Sequence, residues 1–205
     1  MKKYAKCFAA ALLFCIANPS AKAEGLYAAF DVGQTRVDVC NSLPWSLATG
    51  CKNTANIYRL AAGYQFTSTS KLLPMWGAEV AFADYGKASM GTFGVDHVGD
   101  WQISGVQVSI IPTLPLGDAF SITGKLGIAR TDVKHTFDTC VGCSGTPAWV
   151  STNYTVVLGI GALYDVTERV AIRAQYEDLG KVGDSDYYTG RYHVQLFTAG
   201  IILKY

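Results

Sequence analysis

The amino-acid sequence predicts an all-β protein, an eight-stranded antiparallel up-and-down β-barrel that spans a membrane. Eight segments alternate apolar and polar residues with a period of two, as half-buried strands do. Several of them reach the roughly 9 to 11 residues with which a tilted strand crosses a bilayer. An even number of strands is also what bacterial outer-membrane barrels have.

The alternation and the turn-forming residues between segments give the strand bounds. The predicted strands are 25–36, 56–66, 75–86, 102–111, 119–131, 152–164, 169–179 and 192–205. The connections 37–55, 87–101, 132–151 and 180–191 are long, whereas 67–74, 112–118 and 165–168 are short. Outer-membrane barrels have long loops outside and short turns in the periplasm, so we expect both termini in the periplasm.

One face of every predicted strand is free of charge and suits contact with lipid. Its aromatic residues gather at the strand ends, which predicts two interfacial girdles. The girdle positions are Phe66, Trp76, Phe120, Tyr164 and Tyr205 on the periplasmic side, and Tyr58, Trp101, Tyr154 and Tyr176 on the outer side. A soluble β-sandwich would show the same alternation if its second face were covered. The strand lengths and the N-terminal export signal predicted for residues 1–23 favour the barrel.

The opposite faces carry charges, with glycines between them. Three acids and three bases point inward, and the interior of an eight-stranded barrel is only wide enough to hold side chains. Buried charges must pair, so we expect Glu79 to lie among Arg59, Lys125 and Arg173, in an ion-pair network that also includes Glu177. A polar filling that fixes strand register is the favoured interpretation, and a gate or proton path is the alternative.

The N-terminal residues predict export. Lys2, Lys3 and Lys6 precede the apolar stretch 8–17, and Ala21-Lys22-Ala23 has the small-x-small pattern of a signal peptidase site. We therefore expect a signal peptide over 1–23 and a barrel domain over 24–205. Cleavage removes four lysines and no acid, which leaves 13 basic and 16 acidic residues and a net charge of −3. That balance gives no sign of nucleic-acid binding.

Four cysteines remain after the signal peptide, in two pairs that each fall within one predicted loop. They are Cys40 with Cys51 and Cys140 with Cys143. In an exported protein we expect two local disulfides. A four-thiolate metal site is the alternative, for which Cys-x-x-Cys supplies only half of the usual spacing.

Several motifs resemble those of the small OmpA-like outer-membrane β-barrel family. The ending Gly200-Ile201-Ile202-Leu203-Lys204-Tyr205 is similar to the family's terminal strand, and Trp76-Gly77-Ala78-Glu79 carries an inward acid. Similar strand-exit sequences occur at 84–87 and 178–181. The resemblance covers the whole mature chain and implies recognition by the barrel insertion machinery. The residues that would form this insertion signal are Phe197, Ile201, Leu203 and Tyr205.

The final residue departs from the family, since it is Tyr rather than Phe, and Leu203 stands where an aromatic is usual. Some barrels of this size are lipid A enzymes with a catalytic histidine. Here His97 and His135 fall in or near predicted loops, and the residue two after His193 is Gln195, not the Ser of a deacylase-like strand. No nucleophile, base and orienting group are apparent together, so we predict no catalytic residues, metal or cofactor.

The predicted loops are the remaining candidates for function, because rigid barrels present binding residues on their connections. Exposed aromatics beside charges suit contact with a protein or glycan, and they also suit packing of the loops on each other. These loop residues are Trp45, Pro147, Trp149, Asp184, Asp186, Tyr187, Tyr188 and Arg191. We expect a Gram-negative outer-membrane protein, in contact with outer-membrane lipids and lipopolysaccharide, with a structural or surface-interaction role. A narrow pore is the alternative, and a lipid A enzyme is a third possibility.

Overall fold

The computed structural model describes residues 25–38, 52–69, 75–92, 95–137, 148–183 and 191–205. This part of the chain forms eight β-strands. They are β1 (Gly25–Val37), β2 (Thr54–Thr67), β3 (Met75–Thr92), β4 (Val95–Pro115), β5 (Phe120–Phe137), β6 (Ala148–Asp165), β7 (Val170–Val182) and β8 (Tyr192–Lys204). Within these described ranges, no helix is long and apolar enough to cross a membrane.

The eight strands form a closed antiparallel barrel in chain order, which confirms the predicted fold class. β1 pairs with β2 on one side and with β8 on the other, so the sheet has no free lateral edge at its two ends. The backbone nitrogen of Tyr205 donates to the carbonyl oxygen of Leu26 at 2.9 Å, which brings the two ends of the barrel chain together. We call this end of the barrel the termini end, and the opposite end the loop end.

Four strands continue at least four residues further at the loop end than the sequence predicts. β3 and β4 pair as far as Thr92 and Val95, so the long connection predicted over 87–101 is wrong. β5 and β6 similarly pair as far as Thr136 and Ala148. Among the extension side chains that the structure describes, the inward Ala88, Trp101, Val133 and His135 are buried, and the outward Lys87, Asp132 and Lys134 are polar. The result is a four-stranded wall at the loop end.

The outward face has a continuous apolar belt between the two ends of the barrel. Its large exposed side chains include Leu26, Phe30, Val32, Leu60, Val80, Phe82, Val106, Val108, Ile110, Leu126, Ile128, Val156, Leu158, Ile160, Ile172, Phe197, Ile201 and Leu203. Arg36, Arg130 and Asp178 take outward positions just beyond this belt towards the loop end. Exposed apolar surface of this extent suits the hydrocarbon core of a membrane.

One member of the predicted outer girdle is placed differently. Trp101 is only 3% exposed and lies inside the barrel, so its assignment to the lipid-facing girdle is wrong. β4 alternates without interruption here, and Trp101 has the same inward parity as Ile103 and Gln107. The register shift between Asp84 and Gly86 lies in β3 and leaves the parity of β4 unchanged. The girdle assignment follows from the aromatic character of Trp101 next to the predicted strand, whereas the alternation of β4 puts this position inward.

Two β-bulges of the same construction occur in β3 and β7. In each, an aspartate side chain accepts a hydrogen bond from the glycine two residues later, Asp84 from Gly86 at 3.0 Å and Asp178 from Gly180 at 2.6 Å. Both glycines have positive φ, 84° and 64°, the left-handed conformation that glycine adopts without strain. The residue between them, Tyr85 or Leu179, is buried in the lumen.

The lumen near the loop end is filled by apolar side chains, which the sequence analysis did not anticipate. We call this cluster the loop-end apolar layer. It consists of Val37, Ile57, Ala83, Tyr85, Ala88, Trp101, Ile103, Ala129, Val133, Val157, Leu179, Val182, Tyr192, Val194 and Leu196. Each of these side chains is less than 9% exposed, so this end of the lumen is packed like a protein core.

Candidate functional site

Six charged side chains meet inside the barrel between its two ends, and we call them the ionic layer. They are Asp31, Arg59, Glu79, Lys125, Arg173 and Glu177. None is more than 4% exposed. Three acids face three bases, so the layer is neutral overall, as buried charges require.

The two arginines hold the acids from opposite sides of the lumen. Arg173 donates from Nε and Nη2 to Asp31, both at 2.6 Å, and from Nη1 to Glu79 at 2.6 Å. Arg59 donates from Nε to Asp31 at 2.8 Å and from Nη1 to Glu177. Asp31 is therefore shared by both guanidinium groups, a geometry that planar arginine side chains favour.

Lys125 closes the layer on the remaining side. Its Nζ lies 3.1 Å from Oε1 of Glu79 and 3.2 Å from Oε1 of Glu177. Gln175 accepts from Nη2 of Arg59 at 2.6 Å, and the Tyr27 hydroxyl donates to Glu79 at 3.1 Å. The six charges and these neutral groups form one network that connects β1, β2, β3, β5 and β7.

Glycines provide the space for these long side chains. A Cβ atom at Gly200 would overlap the carboxylate of Asp31, and one at Gly63 would overlap the ring of Tyr27. A Cβ atom at Gly159 would lie 3.0 Å from Cγ of Glu177. The inward glycines therefore leave the space that the buried charged side chains occupy.

The structure brings together all five residues of the predicted network, but with different partners. Glu79 contacts Lys125 and Arg173, whereas the bonds of Arg59 go to Asp31 and Glu177. Asp31 was assigned to the inward face without being included in the network, although it has the most contacts with arginine. The period-two alternation of β1 shows that Asp31 points into the lumen. Which residues it meets there depends on how the barrel closes and on the stagger of its strands, and the alternation does not reveal either.

The sequence places His97 and His135 in or near loops, but both lie within strands. His193 is exposed on the outward face, where its Nε2 lies 2.7 Å from Oδ1 of Asp178. His135 does not lie in a loop but inside the barrel in β5, 2% exposed, with its ring stacked on Trp101 at 4.1 Å between centroids. His97 likewise falls within β4. Among the described residues, no group of His, Cys, Asp and Glu is arranged to hold a metal ion.

The terminal strand presents three of its four predicted signal residues outward. Phe197, Ile201 and Leu203 are exposed on the lipid-facing side, and Tyr205 follows the end of β8. The four cysteines and most of the loop residues named above lie outside the described ranges. They are Cys40, Trp45, Cys51, Cys140, Cys143, Pro147, Asp184, Asp186, Tyr187 and Tyr188.

A cavity occupies the lumen at the termini end, below the ionic layer. Its narrow part, of about 40 Å³, reaches Arg173 and Gln175. A wider vestibule of about 330 Å³ extends to the strand ends at Gly25, Pro115 and Tyr205. The lumen is therefore accessible from one end and filled at the other.

Solved structures of small outer-membrane barrels share this fold. Neisserial surface protein A is 14% identical with a TM-score of 0.53, covering 88% of this chain and 97% of that one. OprG from Pseudomonas aeruginosa is 15% identical with a TM-score of 0.53, covering 91% and 99%. Ail, the attachment invasion locus protein of Yersinia pestis, solved with the heparin analogue sucrose octasulfate, is 16% identical with a TM-score of 0.51, covering 89% and 100%.

No curated protein matches the chain in sequence. Residues 21–205, however, match the OmpA-like transmembrane domain family. With a match over nearly the whole barrel, and with the closed eight-stranded fold and its apolar belt, the chain belongs to the OmpA-like transmembrane domain family of outer-membrane barrels.

Proposed function

We propose that this protein has a structural and surface-interaction role in the outer membrane, of the adhesion type, exerted through the loop end of the barrel. The observation that supports this role is the loop-end apolar layer, which fills the lumen where a solute would have to pass. A barrel blocked in this way acts on its surroundings through its surface. The belt meets outer-membrane lipids, and the loop end extends beyond it into the lipopolysaccharide and the medium.

The four-stranded wall supports the same role. β3, β4, β5 and β6 carry the loop end beyond the apolar belt, so that the connection 138–147 starts from a rigid platform. Exposed side chains on this wall include Lys87, Arg130 and Lys134. The Ail structure contains a heparin analogue, and cationic side chains on a rigid wall suit a similar sulfated glycan here.

Attachment of bacteria tests the proposal directly. A non-adherent Gram-negative host that displays the protein should attach to heparin-coated and epithelial surfaces above an empty-vector control. Lys87→Gln together with Lys134→Gln should lower attachment to heparin, since both are exposed charges. Lys204→Gln, at the termini end, is the matched control. Wild-type attachment no higher than the empty vector on either surface would contradict the proposal.

Export and assembly belong to the same proposal. Residues 1–23 would be removed as a signal peptide. The barrel insertion machinery would recognise the terminal strand through Phe197, Ile201, Leu203 and Tyr205. The intact mass of protein from outer membranes should correspond to a chain that starts at Glu24. Replacing Tyr205 by Ser should lower the amount inserted in the outer membrane, while Ser68→Thr in a termini-end turn should leave it unchanged.

A narrow pore for small solutes is the second candidate, and the termini-end cavity favours it. The cavity leads to the ionic layer, so a solute could enter half of the lumen. Stepwise conductance of refolded protein in a planar bilayer, altered by Glu79→Gln, would favour the pore over the surface role. Passage would also require the loop-end apolar layer to move, so truncations such as Leu196→Ala and Ile57→Ala should raise conductance if the pore exists.

A further inference from the structure

The termini-end cavity has a chemistry that neither a structural nor a surface role uses. Its narrow part and the wider vestibule share Tyr27, Gln65, Thr113, Leu163 and Lys204 in their walls, so one leads into the other. The narrow part ends below the ionic layer and has room for a group of a few atoms. It is a blind pocket with a wide entrance.

Side chains that can donate hydrogen bonds line the narrow part. Two of them are cationic, Arg173 and Lys204, and no carboxylate side chain lines it. Nζ of Lys204 is paired with Asp165 at 2.5 Å. Arg173 has five N–H groups, of which three are engaged with Asp31 and Glu79, so two remain for a ligand.

Gln175 lines the narrow part at its closed end and is only 4% exposed. Its side-chain oxygen accepts from Nη2 of Arg59 at 2.6 Å. Because the oxygen is engaged in this way, the group that Gln175 offers to a ligand is its amide nitrogen, which is a donor.

We propose that the narrow part of this cavity binds a carboxylate group that enters from the termini end. The remaining N–H groups of Arg173 and the Gln175 amide donate to its two oxygens, and the Gln65 amide reaches it from the vestibule side. Asp31 and Glu79 hold the guanidinium of Arg173 in a fixed orientation, so little ordering is required on binding. Leu163, Ile111 and Ile202 surround the carbon next to the carboxylate.

The size and charge of the vestibule select among anions. Asp118, Asp165 and Glu168 lie in the vestibule wall, where Lys204 pairs with Asp165, and this excess of acids disfavours ligands of high negative charge, such as phosphate. A single carboxylate on an uncharged body fits both parts of the cavity. The body could be that of a small organic acid or the C-terminal residues of a peptide, since both present the same group.

Side-chain NMR of the refolded full barrel in dodecyl maltoside, which has no carboxylate, tests the proposal. The probes are propionate, N-acetyl-Ala-Ala with a free C-terminus, and the amides of both. We expect saturable shifts of the Arg173 Nε–H and Gln175 amide signals with either acid and none with the amides. Saturation by propionate alone would identify a small acid as the source, and saturation by the peptide alone a C-terminus. No saturable shift with either acid, or equal shifts with the amides, would overturn the proposal.

Three variants locate the binding. Leu163→Trp fills the cavity beside Arg173, its cross-strand partner, and should abolish the shifts. Gln65→Leu removes one hydrogen bond and should weaken binding about five- to tenfold. Thr35→Val changes a buried lumen residue on the loop-end side and should leave binding unchanged. Undiminished binding by folded Leu163→Trp protein would overturn the proposed location.

Discussion

Glu79 and Arg173 form a 2.6 Å ion pair across the lumen, and each stands five residues before the aspartate of one of the two bulges, Asp84 or Asp178. β3 and β7, which carry them, are four strands apart in a closed barrel of eight. Equivalent positions on opposite walls thus meet near the axis of the barrel. One such position holds an acid and the other a base, so the contact is attractive.

Removing the charge of Glu79 should therefore destabilise the barrel strongly. Glu79→Gln leaves Arg173 and Lys125 with uncompensated positive charge in a buried site, which costs about 3–5 kcal/mol. Urea unfolding of the protein refolded into lipid vesicles measures the change in free energy of unfolding. Lys87→Gln breaks an ion pair whose lysine side chain is 60% exposed and should cost about 0–1 kcal/mol. Equal losses for the two variants would contradict this account of the ionic layer.

The two bulge glycines provide a second, internally matched prediction. Alanine at either position must adopt a positive φ, which costs about 1–2 kcal/mol. At Gly86 the new Cβ would also overlap the carbonyl oxygen of Asn56 and lie 2.7 Å from Cβ of Ala55, whereas at Gly180 it would meet no atom within 4 Å. Gly86→Ala should therefore lower the free energy of unfolding more than Gly180→Ala does.

The same urea titration separates the cost of the positive φ from the cost of the steric overlap of the new Cβ. If Gly180→Ala proves as destabilising as Gly86→Ala, backbone strain alone accounts for the loss, and close packing at the first bulge contributes nothing. Asp84→Ala and Asp178→Ala, which remove the hydrogen bond to each glycine, should each cost about 1 kcal/mol.

Sequence alternation was sufficient to predict the barrel, because lipid-facing and lumen-facing residues differ so strongly in polarity. It gave the strand number, the inward direction of the charges and the glycines beside them. The bulges were visible only as the repeated Asp-x-Gly-Lys sequences at 84–87 and 178–181, whose meaning depends on the φ of a glycine. Trp101 is assigned to the wrong face because it is grouped with the aromatic residues at strand ends, although the uninterrupted alternation of β4 places it inward.

The loop-end apolar layer was missed for a different reason. The layer includes the inward residues Ile57, Val133 and Leu196. In the sequence alone, an apolar residue between polar ones in a strand is equally compatible with a lipid-facing and a core position. Only the register of eight strands around a closed barrel places these residues at one level. Contacts between strands far apart in sequence, such as Asp31 with Arg173, are hidden for the same reason.

The four cysteines that follow the proposed signal peptide lie outside the described ranges, so their pairing remains a prediction. Two local disulfides, Cys40 with Cys51 and Cys140 with Cys143, should leave unreduced protein unreactive towards an alkylating agent. Mass spectrometry should then find four alkylated cysteines only after reduction. If a chelator alone makes the four thiols reactive, the thiolate metal site is correct instead.

Charge substitutions on the outward face should show where the membrane begins. Val108 and Val150 are exposed to similar extents, 59% and 66%. Val108 lies within the apolar belt and pairs with Ile128, whereas Val150 pairs with Lys134 on the wall beyond it. Val108→Arg should lower the free energy of unfolding from vesicles by about 2–4 kcal/mol, and Val150→Arg by about 0–1 kcal/mol, because the cost of a lipid-facing arginine depends on depth.

The comparison of these two sites also separates a membrane barrel from a water-soluble one. In detergent-free water both positions would face solvent, and the two arginines would have the same small effect. A difference that appears in vesicles and grows with the acyl-chain length of the lipid would assign Val108 to the hydrocarbon. Equal effects in vesicles of every thickness would show that the apolar belt is not the surface that meets lipid.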